Sequence, residues 1–149
     1  MAKAYHLGPA RRAVNSGVAT MLRFGLGAKS TYLLTTTGRR THQPRTTPVI
    51  LVENEEGRWL VSPYGEVAWV KNVRALPEVT LRRGAKTERL QAEELDPESS
   101  GPILQRYLRD VRVTAPFFDV TSEDPVRRFV EEAPRHPVFK LVPDPRSAS

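Results

Sequence analysis

The 149-residue chain contains no cysteine, which excludes disulfides, thiolate metal sites and a thiol nucleophile. It also lacks any apolar run near the roughly 20 residues that cross a bilayer. No long apolar stretch follows the early charges Lys3, Arg11 and Arg12, so neither a membrane span nor an export signal is predicted. We therefore expect a cytoplasmic protein whose chemistry comes from other side chains or from a bound cofactor.

The length and the 39% hydrophobic content suit one globular domain and are marginal for two. We predict a single domain over residues 1–149, with an N-terminal helix within residues 1–27 and a flexible tail over residues 143–149. Apolar residues recur every three or four positions over residues 9–25, which indicates an amphipathic helix. Packing on the protein's own core is the favoured use of this helix, and peripheral contact with an anionic membrane is the alternative.

Acidic residues are missing from the first third of the chain. Residues 1–50 carry eight Lys or Arg and no acid, whereas residues 51–149 carry 15 basic and 17 acidic side chains. Such a local excess indicates a polyanionic partner, whether nucleic acid, membrane surface or phosphorylated ligand, or else a solvated face. Nucleic acid is disfavoured, because only Trp69 and Tyr64 offer stacking surfaces near the charge.

The centre of the chain reads as β-structure joined by turns. We predict an α+β fold, an antiparallel sheet or barrel of about six strands with four flanking helices. The predicted strands cover residues 31–37, 46–52, 58–61, 79–82, 86–95 and 138–142. The predicted helices cover residues 9–25, 67–76, 102–111 and 122–134, with a cap-like Ser99-Ser100 before the third.

Conventional catalytic patterns do not occur in this sequence. His6, His42 and His136 are far apart without metal-ligand spacing, and no serine-hydrolase, zinc-protease, P-loop or dinucleotide motif is found. We interpret the histidines as surface or loop residues, with His136 at a strand entry beside Pro137. No metal site is predicted.

The densest polar feature is a turn between two predicted strands, residues 35–48. It carries Arg39, Arg40 and Arg45 among several hydroxyl groups. Guanidinium groups, hydroxyls and free loop amides together suit a phosphate. The alternative is a basic hairpin turn with no ligand.

A second feature follows the third predicted strand. Ser62 and Tyr64 place hydroxyls on a loop, and Trp69 and Asn72 share one face of the next helix. A flat ring system could pack on the indole while Asn72 or loop amides bond its carbonyls. Alternatively, Trp69 is a core anchor and Asn72 binds a neighbouring loop.

These segments together resemble a known family. Residues 34–41, followed by Gln43-Pro44-Arg45 and Pro48, are similar to the TTTGRxTGQPRxxP signature of the deazaflavin-dependent nitroreductases. Residues 69–73 resemble the family's WxxNL helix, residues 76–81 its NPxVxV strand entry, and residues 137–141, more faintly, its IPVVxL ending. The order and spacing agree.

The resemblance implies a split β-barrel related to the FMN-binding pyridoxamine-phosphate oxidases. It also implies an oxidoreductase that uses reduced coenzyme F420 to transfer hydride to a quinone, enone or nitro compound. F420 and this small-molecule acceptor would be its partners, and the protein would be a monomer or a homodimer. FMN is the alternative cofactor, and a haem-type ligand or a non-catalytic F420 carrier are further alternatives.

Carried over by position, the resemblance implies two groups of cofactor-binding residues. The tail and phosphate would be held by Arg39, Arg40, Thr41, Arg45, Thr46, Thr47 and Pro48. The deazaflavin ring would be lined by Val61, Ser62, Pro63, Tyr64, Gly65, Ala68, Trp69 and Asn72. Tyr64 or Ser62 would supply a proton or a hydrogen bond to the acceptor.

The sequence departs from the family pattern at three points. His42 stands where glycine is usual, and the glycine-containing loop before the tryptophan is cut to Glu66-Val67. The tyrosine-rich YxxYQ segment has no match, since the nearest stretch, residues 115–120, carries Phe117 and Phe118. We therefore expect a more apolar acceptor pocket and do not carry over nitroimidazole activation.

Overall fold

Six antiparallel strands close into a barrel in the computed structural model, which describes residues 30–144. The strands follow the order β1-β2-β3-β6-β5-β4, and β4 pairs back with β1. The strands are β1 (Thr31–Thr37), β2 (Pro44–Asn54), β3 (Gly57–Val61), β4 (Glu78–Arg83), β5 (Lys86–Glu94) and β6 (Val138–Pro143). The α-helices are α1 (Ala68–Ala75), α2 (Pro97–Asp110) and α3 (Val126–Glu132), with 3-10 helices at Arg112–Phe117 and Ala133–Arg135.

The predicted α+β barrel of six strands is confirmed. Alternating strand residues point inward, so Leu34, Leu60, Leu81 and Phe139 fill the barrel with almost no exposure. Each such side chain stabilises the fold by about 1.5 to 3 kcal/mol when fully buried. Helix α1 adds Val70 and Val73 to this core, which places the α1 helix directly against the barrel.

A second core lies on the outside of the barrel, beneath α2 and α3. Leu104 and Phe129 from the helices pack with Trp59 of β3 and Val138 of β6. Gly101 permits the two helices to approach, since a Cβ at this position would lie 2.6 Å from a Val130 methyl group. The helices therefore sit on one side of the sheet and leave the β1–β2 turn uncovered by them.

Strand β2 tolerates Pro48, which has no amide hydrogen, because of the direction in which the Pro48 nitrogen points. The Leu51 amide donates to the Ser30 carbonyl at 2.8 Å, so alternation along the strand turns the Pro48 nitrogen away from β1. The ladder between β2 and β3 begins only at Leu51. The strand itself starts at Pro44, two residues before the predicted start.

The helix boundaries differ from the predicted ones. Helix α2 starts at Pro97 and contains Pro102 inside it, because the Asp96 side chain caps the helix by accepting from the Ser99 amide at 2.7 Å. The predicted start at Pro102 is therefore wrong. Helix α3 begins at Val126, not near Ser122, and the segment between the third and fourth predicted helices contains the 3-10 helix Arg112–Phe117.

The segments predicted at the two ends of the chain lie largely outside the described residues. The predicted helix over residues 9–25 lies there entirely. At the other end, β6 includes Pro143 and Asp144 is fully buried. A flexible tail beginning at residue 143 is thus wrong, and residues 145–149 lie outside the described part.

Candidate active site

The β1–β2 connection, which we call the basic turn (residues 38–45), is closed by its own backbone. The Gly38 amide donates to the Gln43 carbonyl and the His42 amide to the Gly38 carbonyl, both at 2.8 Å. His42 has φ +60°, a left-handed conformation that favours glycine. Gly38 has no room for a side chain, since a Cβ would lie 2.7 Å from Thr41 Oγ1.

Most side chains of the basic turn are open to solvent. Arg40, Thr41 and Arg45 are exposed, as is Thr46 just beyond the turn. Thr46 shares a hydrogen bond of 2.8 Å with the Thr35 hydroxyl. The turn therefore presents two guanidinium groups and several hydroxyls at a constrained backbone, while Thr47 and Pro48 are half-buried.

Asn72 joins the basic turn to helix α1. Its Oδ1 accepts from the Arg39 backbone amide at 3.2 Å and from the Arg39 guanidinium at 2.8 Å. Its Nδ2 donates to the Thr36 hydroxyl at 3.4 Å, and the side chain is only 3% exposed. The structure thus brings together two segments that the sequence separates by about 30 residues, and Asn72 binds a neighbouring loop.

The segment after β3, which we call the 62–65 loop, is tightly bonded. Ser62 is fully buried, and its hydroxyl donates to the Gly65 carbonyl at 2.5 Å. The same carbonyl accepts from the Val67 amide at 2.9 Å. Val61 and Pro63 are buried as well, so Tyr64 and the half-buried Gly65, with φ +88°, form the accessible part of the loop.

Aromatic side chains surround the 62–65 loop. Tyr64 meets Phe117 edge to face, with ring centroids 4.7 Å apart. Trp69, next to the half-buried Ala68, is half-buried against the barrel core and lies 5.8 Å from the Phe139 ring. Burial, and secondarily the nearby Tyr64, raises the pKa of Tyr107, so that phenol stays protonated beneath the loop.

His136 lies in the loop that enters β6, as predicted, but it is not a surface residue. The side chain is 3% exposed, and its Nδ1 lies 2.9 Å from the Pro63 carbonyl. Its Nε2 lies 3.0 Å from Glu132 Oε1. The i, i+4 spacing of Glu132 and His136 was the available signal, but Pro134 and Pro137 obscured it.

The chain carries the sequence pattern of a known enzyme family. The model of the F420H(2)-dependent quinone reductases matches residues 10–128. The chain belongs to this family. Its cofactor is accordingly coenzyme F420 and its class is that of the F420-dependent reductases, which confirms the resemblance to the deazaflavin-dependent enzymes.

Solved structures share the fold at low sequence identity. An F420-H2 dependent reductase, FDR-A, is 24% identical with a TM-score of 0.53, over 76% of this chain and 94% of that one. A putative pyridoxamine 5'-phosphate oxidase from Listeria innocua is 17% identical (TM-score 0.55; 88% and 94% covered), and HutZ, the heme storage protein of Vibrio cholerae, is 14% identical (0.54; 83% and 89%). No curated protein matches the chain.

The residues present fit this coenzyme. F420 combines a flat ring with a negatively charged tail, and the structure joins the basic turn, with its exposed Arg40 and Arg45, to the helix that carries Trp69. The bonds from Arg39 to Asn72 hold the charged and aromatic parts together. Among residues 30–144, no helix is long and apolar enough to cross a membrane.

Proposed function

We propose that this F420-dependent reductase transfers hydride to a quinone-type acceptor that binds against Tyr64 and Phe117. The edge-to-face contact of these two rings at 4.7 Å carries the proposal. Phe117 belongs to the segment that stands in place of the family's tyrosine-rich stretch. An aromatic, largely apolar wall suits a flat quinone better than it suits a charged or strongly polar acceptor.

The two segments divide the work of binding the coenzyme. Arg40 and Arg45 meet the negatively charged tail, aided by the Thr41, Thr46 and Thr47 hydroxyls and by the Pro48 strand segment. The 62–65 loop, with Val61 before it and Ala68 and Trp69 after it, lines the ring. Arg39 and Asn72 hold these two groups at a set distance, because they bond to each other.

Reduced F420, when bound, would supply a hydride from C5. That hydride and one proton delivered through Tyr64, which would regain it from the oxidised coenzyme or solvent, would together convert a quinone to a quinol. The chain must orient the acceptor and exclude water. We assign the proton donor or hydrogen bond at the acceptor oxygen to Tyr64, which is partly accessible. Ser62 instead positions the loop, because its proton is directed to the Gly65 carbonyl.

The test measures the oxidation of reduced F420 by a short-chain menaquinone analogue, an enone and a nitroaromatic compound. We expect kcat/KM to be highest for the quinone. Phe117→Ala should lower it by about tenfold through lost acceptor contact, and Tyr64→Phe by about 10²-fold through the lost proton donor. Val113→Ala, at a 59% exposed position of the same 3-10 helix, is the control.

Three results would contradict the proposal. Equal turnover of quinone and nitroaromatic compounds, unaffected by Phe117→Ala, would remove the aromatic wall from the acceptor site. If ligand fluorescence shows tight binding of FMN and no binding of F420, the cofactor is FMN. Binding of F420 without turnover of any acceptor would indicate a carrier.

A further inference from the structure

A buried charged pair lies behind the 62–65 loop and outside the residues that the family model matches. Glu132 ends helix α3, His136 precedes β6, and both are at most 3% exposed. The match ends at residue 128, before either residue. The imidazole connects Glu132, at 3.0 Å, to the Pro63 carbonyl, at 2.9 Å.

The partners of the ring determine how many protons it carries. The Pro63 carbonyl can only accept, so Nδ1 must donate to it. Glu132 already accepts from the Asp119 amide at 2.9 Å and from the Arg135 guanidinium, which is the pattern of an ionised carboxylate. Nε2 must therefore donate as well. Only the doubly protonated imidazolium satisfies both contacts at once.

We propose that His136 is a positioning residue for the reductase site, and that its imidazolium form holds the 62–65 loop, and with it Tyr64, in the working position. The inference rests on the proposed role of this loop beside the coenzyme ring. Beyond that role, we infer that the protonation of the buried His136 side chain controls the position of the loop.

A neutral His136 has one N–H for two acceptors. The bond to the Glu132 carboxylate is charge-assisted and therefore stronger than the bond to a carbonyl. The neutral ring would keep its proton on Nε2 and direct the Nδ1 lone pair at the Pro63 oxygen, which repels it. Loss of the second proton thus releases Pro63, while the ring stays bonded to helix α3.

The surrounding groups set the pH at which this happens. Burial dominates and holds the pKa of His136 below its ordinary value, while Glu132 and the Pro63 carbonyl raise the pKa and Arg135 lowers it. Asp119 holds Arg135 at 2.6 Å, and Phe118 stacks on the imidazole with centroids 3.9 Å apart. Tyr64 is the titratable group on the loop. Glu132 and Arg135 therefore act on the ring in opposite directions.

Because Glu132 and Arg135 shift the pKa of His136 in opposite directions, variants of these two residues form a matched pair for the experiment. In the free protein, NMR follows the His136 ring nitrogens and the backbone amides of residues 62, 64 and 65 across pH. We expect both nitrogens to be protonated on the acid side, and the loop amides to shift with the midpoint of the ring. Glu132→Gln should move the common midpoint to lower pH and Arg135→Gln to higher pH, whereas Glu98→Gln, an exposed pair with Arg127, should leave it unchanged.

The second readout is catalytic. As pH rises through the His136 midpoint, kcat should fall by about tenfold or more, since small displacements of a positioned group have effects of this size. F420 affinity should change less than kcat does, because the basic turn still binds the charged tail when the 62–65 loop moves. The fall in kcat should move with the NMR midpoint in both variants.

The inference is overturned if the NMR signals of the loop amides do not change as His136 titrates. It is also overturned if the His136 midpoint moves in the same direction in both variants. An unprotonated ring nitrogen throughout the active pH range would overturn it as well. The NMR measurement needs no coenzyme, so failure of the proposed function leaves it intact. Arg135 is half exposed, which keeps the test available if Glu132→Gln does not fold.

Discussion

The basic turn and the 62–65 loop, which we propose form one site, are built in opposite ways. The turn is exposed, charged and closed by hydrogen bonds between residues at most five positions apart. The loop is mostly buried, and His136, which bonds to it, lies 73 residues further along the chain. Recognition of a charged tail tolerates solvent and local structure, whereas positioning of a reacting ring requires contacts from the folded core.

Asn72 is the point at which the two regions depend on each other. It is buried like the loop but bonds to the turn, through the Arg39 amide and guanidinium. The following three variants test whether the regions are separable, from the largest expected effect to the smallest.

Asn72→Ala should disturb both regions. It leaves the Arg39 amide and the Thr36 hydroxyl without their partner, which should lower the free energy of unfolding by about 3 kcal/mol. F420 affinity should fall about tenfold with it, because the turn loses its link to α1. Urea unfolding and fluorescence titration measure the two effects.

Asn54→Ala is the control for that variant. Asn54 is exposed, and its side chain accepts from the nearby Glu56 amide at 2.7 Å, so its loss should leave F420 affinity unchanged. If Asn72→Ala binds F420 as tightly as the parent protein, the turn does not need α1 and the two regions are independent.

Arg45→Ala should affect the turn alone. The loss of one guanidinium from a charged tail should weaken F420 binding by about 1.5 to 3 kcal/mol, and the effect should shrink as salt is added. The free energy of unfolding should stay the same, since Arg45 is exposed. The control Arg127→Ala removes the same charge from helix α3. If both variants weaken F420 binding equally, the effect of Arg45 is one of overall charge and not of a specific contact.

His42→Gly should have the smallest effect, confined to the backbone of the turn. At φ +60°, glycine relieves a strain of about 1 kcal/mol and so should raise the free energy of unfolding slightly. F420 affinity should not change. Gln43→Gly is the control, because that residue does not have a positive φ and glycine there should destabilise the fold by about 0.5 to 1 kcal/mol; the same sign for both variants would contradict the backbone explanation.

Local patterns predicted the strands and helix α1 well, and the starts of α2 and α3 poorly. Strand β1 and the turn at Gly38 follow from β-branched alternation and a glycine, both of which act over a few residues. The start of α2 was misplaced because Asp96, Ser99 and Ser100 are all suitable caps beside two prolines. Packing of Gly101 against Val130 favours the longer helix, and that contact is not local.

The site shows the same division. Arg39, Arg40, Arg45, Tyr64 and Trp69 were identified as candidates from residue type and spacing alone. Those patterns did not determine the hydrogen-bond partner of each side chain. The Ser62 hydroxyl donates to the Gly65 carbonyl, and Asn72 accepts from Arg39. Side-chain direction depends on neighbours from other elements, which a linear pattern does not contain.

The linear pattern of residues was enough for the barrel class and the basic turn, because alternation, glycine positions and clustered charge act over short distances. The coenzyme followed from the resemblance of several motifs to a known family. Only the tertiary structure decided that Asn72 connects turn and helix and that His136 and Glu132 lie buried behind Pro63. Burial and hydrogen-bond partners come from residues tens of positions apart, and together they set the protonation of His136.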